Sequence, residues 1–168
     1  YEFDIGWVYI SAMKAVGLAS VKKTPPQLML GEVKPVADEK TLEAIIANRY
    51  EVMAGFGREL RRAAKDEIAQ LQARGQDLSV LKAARRWLHR DADRVPADAQ
   101  TQVAQARAAH PALDKMLTMR EELRQMWMST TLTREQLTAN LAAWCKRADD
   151  SGIARLQAFS QQLRAAHA

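Results

Sequence analysis

The sequence is poor in the residues that build disulfide frameworks, metal centres and tight β-turns. It holds one cysteine, Cys145, so it can form no internal disulfide, and a reducing compartment suits it. Its three histidines, His89, His110 and His167, are isolated. None is spaced with a second His, a Cys or a carboxylate as ligation of a metal on one helix face requires. Seven glycines and five prolines in 168 residues are too few for a chain of many short strands. There is no glycine-rich phosphate loop and no nucleophile elbow. Adjacent acids such as Glu121-Glu122 and Asp149-Asp150 point in different directions on a helix and make poor catalytic dyads. These residues therefore build no autonomous catalytic site, and no catalytic residue, metal ligand or cofactor is assigned to this stretch. No secretory signal is visible, and no uninterrupted apolar run of about 18 residues exists that would span a bilayer. The start at Tyr1, without a Met, marks either a processed end or a piece of something longer.

What is abundant favours helix. Ala, Leu, Arg, Gln and Glu dominate, and they lose little side-chain freedom in a helix. Hydrophobic residues make up 48% of the chain, but many are Ala, which buries little surface, so the expected core is thin. The net charge is +5 and the pI about 9.6. A basic balance of this size allows nucleic acid or an anionic membrane as a partner, although mixed charges read first as a solvated helical surface. The basic pairs Arg61-Arg62, Arg85-Arg86 and Lys146-Arg147 are short. They serve nucleic-acid binding only if folding brings them to one face. Cys145 lies beside an apolar helix face and reads as a buried structural thiol rather than a nucleophile.

Residues 4–18 predict a first helix, with Asp4 as its cap and Gly17 near its stop. Ile5, Val8, Tyr9, Ala12 and Val16 form its apolar stripe. Thr24-Pro25-Pro26, Gly31 and Pro35 mark a linker. The expected organisation is thus residues 1–23 as an amphipathic helix with a basic exit, 24–37 as a Pro/Gly linker, and 38–168 as a helical region. From Asp38 a three-four spacing of apolar residues, Leu42 through Leu71, predicts one long helix ended by Gly75. Further helices are predicted from Leu78 to His89, over 97–109 with weak anchoring, and from Pro111 with Leu113, Met116, Leu117, Leu123 and Trp127 on one face. Thr133-Arg-Glu-Gln136 fits a capping box that opens the next helix. Ser151-Gly152 then turns the chain into a last one, which should pack beside it. The fold class expected is all-α, a loose bundle of five or six helices with a detached first helix.

The opening Tyr1-Glu-Phe-Asp-Ile-Gly-Trp-Val-Tyr-Ile10, with Ala15-Val-Gly-Leu-Ala19 and Val21-Lys-Lys23, resembles a particular place in one family. It is similar to the stretch just after the third histidine box of bacterial membrane-bound fatty acid desaturases. Asn48-Arg49-Tyr50 and the stretch from Trp144-Cys-Lys-Arg-Ala148 to Ser151-Gly-Ile153 resemble the helical C-terminal extension of some of these enzymes. The resemblance implies the C-terminal part of an oxidoreductase that puts a double bond into a fatty acyl chain with oxygen and a di-iron centre. The iron ligands would lie upstream, so this fragment would be inactive alone. It implies an inner-membrane location facing the cytoplasm, with Trp7 and Tyr9 at headgroup depth and Lys14, Lys22 and Lys23 towards anionic lipid. Its implied partners are the membrane surface, the upstream catalytic domain, and an electron-transfer protein or a second copy, with no nucleic acid. The stretch from Trp144 to Ile153 also resembles the C-terminal helices of some insertion-sequence transposases. That keeps a DNA-associated helical region as the alternative, beside a plain helical interaction module.

Overall fold

The computed structural model describes residues 36–168. Among these residues it is all-α, with seven α-helices, one short 3-10 turn and no strand. The expected all-α class is therefore what the described residues adopt. The predicted first helix and most of the predicted linker lie outside the described residues.

Helix α1 (Glu39–Ala47) starts where the sequence places it. Asp38 Oδ1 accepts the Thr41 N–H at 2.7 Å and so satisfies one of the free donors of the first turn. The single long helix expected from here is in fact two. The chain breaks at Asn48, and α2 follows over Arg49–Ala73. The Asn48 amide donates to the Ala44 carbonyl at 2.9 Å, and its backbone N–H is shared between the Ala44 and Ile45 carbonyls. A short polar side chain that bonds its own backbone competes with the helical ladder. The break lets α1 leave the axis of α2, bury Leu42 and Ile45, and pack on the last two helices.

Helix α2 has 25 residues and spans about 37 Å at 1.5 Å per residue. It buries Val52, Phe56, Gly57, Leu60, Ala64 and Leu71. It stops at a Schellman motif: Gln76 N–H donates to the Leu71 carbonyl at 2.9 Å and Gly75 N–H to that of Gln72 at 3.1 Å. Gly75 has φ +66°, a left-handed conformation that costs glycine nothing, which is why the helix ends there.

Helix α3 (Ser79–Ala84) is shorter than the predicted helix to His89. Residues 85–89 continue as turns, and a 3-10 turn (Ala92–Arg94) precedes Pro96. Helix α4 (Ala97–Ala109) fully buries only Ala99 and Ala106, yet it packs on α3 and on the next helix, with Val103 against the shared core, so it is better anchored than its composition suggests. Helix α5 (Pro111–Met128) buries Leu113, Met116, Met119, Arg120, Leu123 and Met126. Helix α6 (Arg134–Asp149) opens with the predicted capping box. Gln136 N–H donates to Thr133 Oγ1 at 3.2 Å, and Thr133 N–H donates to Gln136 Oε1 at 2.9 Å. Helix α7 (Ala154–His167) packs beside α6, as the short turn between them requires.

The main core gathers α1, α2, α5, α6 and α7. Phe56, Trp144 and Phe159 meet edge-to-face at its centre, with centroids 5.0 to 6.3 Å apart. Cys145 is fully buried there, and burial pushes its thiol up, as suits a structural residue. A second, smaller core of Ala64, Leu71, Leu81, Ala84, Leu88, Ala106 and Leu113 holds α3 and α4 on the far half of α2. Two pairings reinforce the frame. Arg155 of α7 reaches Glu59 and Asp66 of α2. Arg164 of α7 clasps Asp149 of α6 through both terminal nitrogens, at 2.7 and 3.2 Å.

Candidate functional site

The packing of α5 against α2 sets one basic face. Arg120 and Arg124 lie one turn apart on α5, so both project toward the same side. The 3-10 turn crosses over them and brings in Asp91, Asp93 and Arg94. Asp91 is shared by three guanidinium groups: Arg120 at 2.9 Å, Arg124 at 3.4 Å and Arg94 at 4.0 Å. The first turn of α2 adds Arg49, Tyr50 and Met53 from the opposite wall, and the end of α5 adds Trp127 and Met128. Together they line a cleft of about 380 Å³ with one carboxylate, Asp91, and four arginines, Arg49, Arg94, Arg120 and Arg124.

The basic surface continues past this cleft. His89 sits between α2 and the turns after α3, with Arg61, Arg90 and Arg120 around it. Burial holds its pKa below the ordinary 6.5, and the three arginines push in the same direction. Its Nδ1 is buried without a partner among the described residues. The sequence places this histidine on the surface; the structure half-buries it, because the chain folds back over Gly57 of α2 there. Next to it, Arg86 and Arg90 stack on the ring of Trp87, 4.5 and 5.8 Å from its centroid. Arg49, Arg61, Arg86 and Arg90 make no ion pair with any other described residue.

Of the basic pairs marked in the sequence, only part joins this face. Arg61 does. Its neighbour Arg62 is held by Glu59 at 2.6 Å. Lys146 and Arg147 are held by Asp150 and Glu122, at 2.8 and 2.6 Å. Sequence reasoning missed Arg90, Arg94, Arg120 and Arg124, which sit in no basic run. Their signal is a spacing of four, in Arg86-Arg90-Arg94 and in Arg120-Arg124. The other two histidines are local. His110 Nδ1 lies 3.1 Å from Glu67 Oε1, and His167 Nδ1 donates to the Leu163 carbonyl at 2.7 Å. Among the described residues no group of three or more His, Cys, Asp or Glu is placed to hold a metal ion. The residues expected at a membrane surface, Trp7, Tyr9, Lys14, Lys22 and Lys23, lie outside the described residues.

Residues 34–168 match the DDE transposase family of the ISL3 type. Over 121 residues the chain is 26% identical to the transposase for insertion sequence element IS1001 of Bordetella parapertussis, covering 71% of this chain and 29% of that protein. The chain thus spans less than a third of that relative's length. No solved structure matches it.

These findings overturn the desaturase resemblance. It rested chiefly on an aromatic amphipathic segment with a basic exit in residues 1–23, which lies outside the matched residues. The transposase match instead runs through nearly all that follows. The expected oxidoreductase activity falls with it, as does the di-iron centre implied for a parent protein. The inner-membrane location and the membrane and electron-transfer partners fall too. Among the described residues no helix is long and apolar enough to cross a membrane. The expectation that nucleic acid is no partner loses its basis with the family match. The alternative drawn from Trp144–Ile153 was the better reading, and the chain belongs to the ISL3-type transposase family.

Proposed function

We propose that residues 38–168 form a DNA-holding helical region of an insertion-sequence transposase, and that the basic face grips the phosphate backbone. One observation carries this reading. Arginines from three separate stretches, the start and middle of α2, residues 90–94, and the end of α5, gather around the cleft and the neighbouring His89. Three of them, Arg49, Arg61 and Arg90, make no ion pair with another described residue, and neither does Arg86, which shares the Trp87 ring with Arg90. The guanidinium group suits phosphate because its fixed fork of donors matches two phosphate oxygens at once. Arg120 and Arg124 sit deeper and are held in place by Asp91, so they are oriented before DNA arrives. Whatever chemistry the whole protein performs, these residues bind and position. They offer no cluster that would hold a catalytic metal.

The test is duplex binding by the 168-residue chain across a salt series. Phosphate contacts release counterions, so affinity should fall steeply as salt rises. Replacing both Arg86 and Arg90 by Gln should lower the slope of log affinity against log salt by roughly two contacts' worth. Absent or salt-insensitive binding would overturn the reading.

A further inference from the structure

The cleft between α2 and α5 carries more than charge. Tyr50 and Met128 are the two large hydrophobic residues most exposed among the described residues, at 78% and 63%, and both stand on its rim. Exposed aromatic and thioether surface contributes nothing to gripping a duplex from outside, because paired bases show no open ring faces there. The Arg49 guanidinium lies 5.0 Å from the centroid of the Tyr50 ring, and the ring's exposure leaves a face open to a second planar group. Deeper in, Arg120 is only 9% exposed, and it donates to Asp91 through Nη2. Its Nε and the indole Nε1 of Trp127 are buried with no acceptor among the described residues. Buried donors without acceptors are uncommon in native proteins and point to a group that arrives with oxygens to offer.

We propose that this cleft takes an unpaired nucleotide of a DNA strand, its phosphate set among Arg94, Arg120 and Arg124 and its base stacked on Tyr50 beside Met128. An unpaired nucleotide is the ligand that presents both features at once, an anion rich in acceptors and an open ring face. Stacking platforms next to cationic grooves are how proteins hold single strands irrespective of sequence. The inference rests on the DNA-holding reading and adds which form of DNA this part of the face prefers.

The experiment compares a labelled oligo-dT strand with a blunt duplex of the same length, using the full chain, Tyr50→Ala and Tyr50→Phe. Tyr50 is so exposed that neither change threatens the fold, and circular dichroism confirms it. Tyr50→Ala should weaken strand binding about tenfold while duplex affinity holds. Tyr50→Phe, which keeps the ring, should restore strand binding. If Tyr50→Ala leaves strand affinity unchanged, or lowers strand and duplex alike, the unpaired-nucleotide inference is overturned and the DNA-holding reading stands. If the unmodified chain binds neither probe, both are overturned.

Discussion

Trp144 of α6 gives its indole N–H to the Met119 carbonyl of α5 across the middle of the core, at 2.9 Å. This carbonyl belongs to the α-helical ladder of α5, so the bond joins two helices without disturbing either. The same ring packs edge-to-face on Phe56 and Phe159. Replacing Trp144 by Ala removes the contact and leaves a cavity, and it should cost about 3–5 kcal/mol of stability. Trp144→Phe keeps most of the apolar contact, and its cost should stay near 1–3 kcal/mol. Urea denaturation would measure both. A loss below about 1 kcal/mol for the Ala variant would mean the core can rearrange around that site.

Two glycines of α2 and its cap should respond oppositely to alanine. Gly75 holds φ +66° with no atom near a new Cβ, so Gly75→Ala meets only backbone strain, roughly 1–2 kcal/mol. Gly57 is inside the helix, and a Cβ there would meet His89 Cβ at an ordinary 3.7 Å. Gly57→Ala should therefore stabilise the protein by about 0.5–1 kcal/mol through helix propensity. Thermal melts of the two variants should move in opposite directions; a shared direction would contradict this account.

His89 links stability to pH. Burial first, and then Arg61, Arg90 and Arg120, hold its folded pKa below 6.5. The unfolded chain thus takes up the proton first as pH falls. The stability this histidine lends is complete above about pH 6.5 and declines as pH drops through the folded value. His89→Gln should flatten the fall in stability between about pH 7 and pH 5. Identical pH profiles for the variant and the unmodified chain would show that His89 titrates as a free side chain.

The helices were legible because their signals are local. Asp38, Gly75, Pro111 and the Thr133–Gln136 box each act within one turn, and each marks a boundary found in the structure. The break at Asn48 was not legible, since the apolar spacing runs straight through it and only the side chain's bond to Ala44 reveals it. The basic cleft was illegible for the opposite reason. Arg49 and Arg120 are distant in sequence, and only the packing of α2 on α5 brings them together. Apolar stripes report that helices pack, but not which arginine a neighbouring helix will carry. The desaturase resemblance misled because it weighed a short opening segment above the long helical remainder.

The packing of α1 against α6 and α7 has a consequence for synthesis of the chain. Ribosomes release residues 39–47 early in this region, yet much of the surface that covers Leu42 and Ile45 is built from residues synthesised about a hundred positions later. Until α6 and α7 emerge, the apolar residues of α1 lack most of their cover, and the bond from Arg155 to Glu59 cannot form. Closure of this core is thereby deferred until α6 and α7 have both been made. A reading frame interrupted inside α7 would yield a chain whose α1 stays partly unsheltered and open to proteolysis.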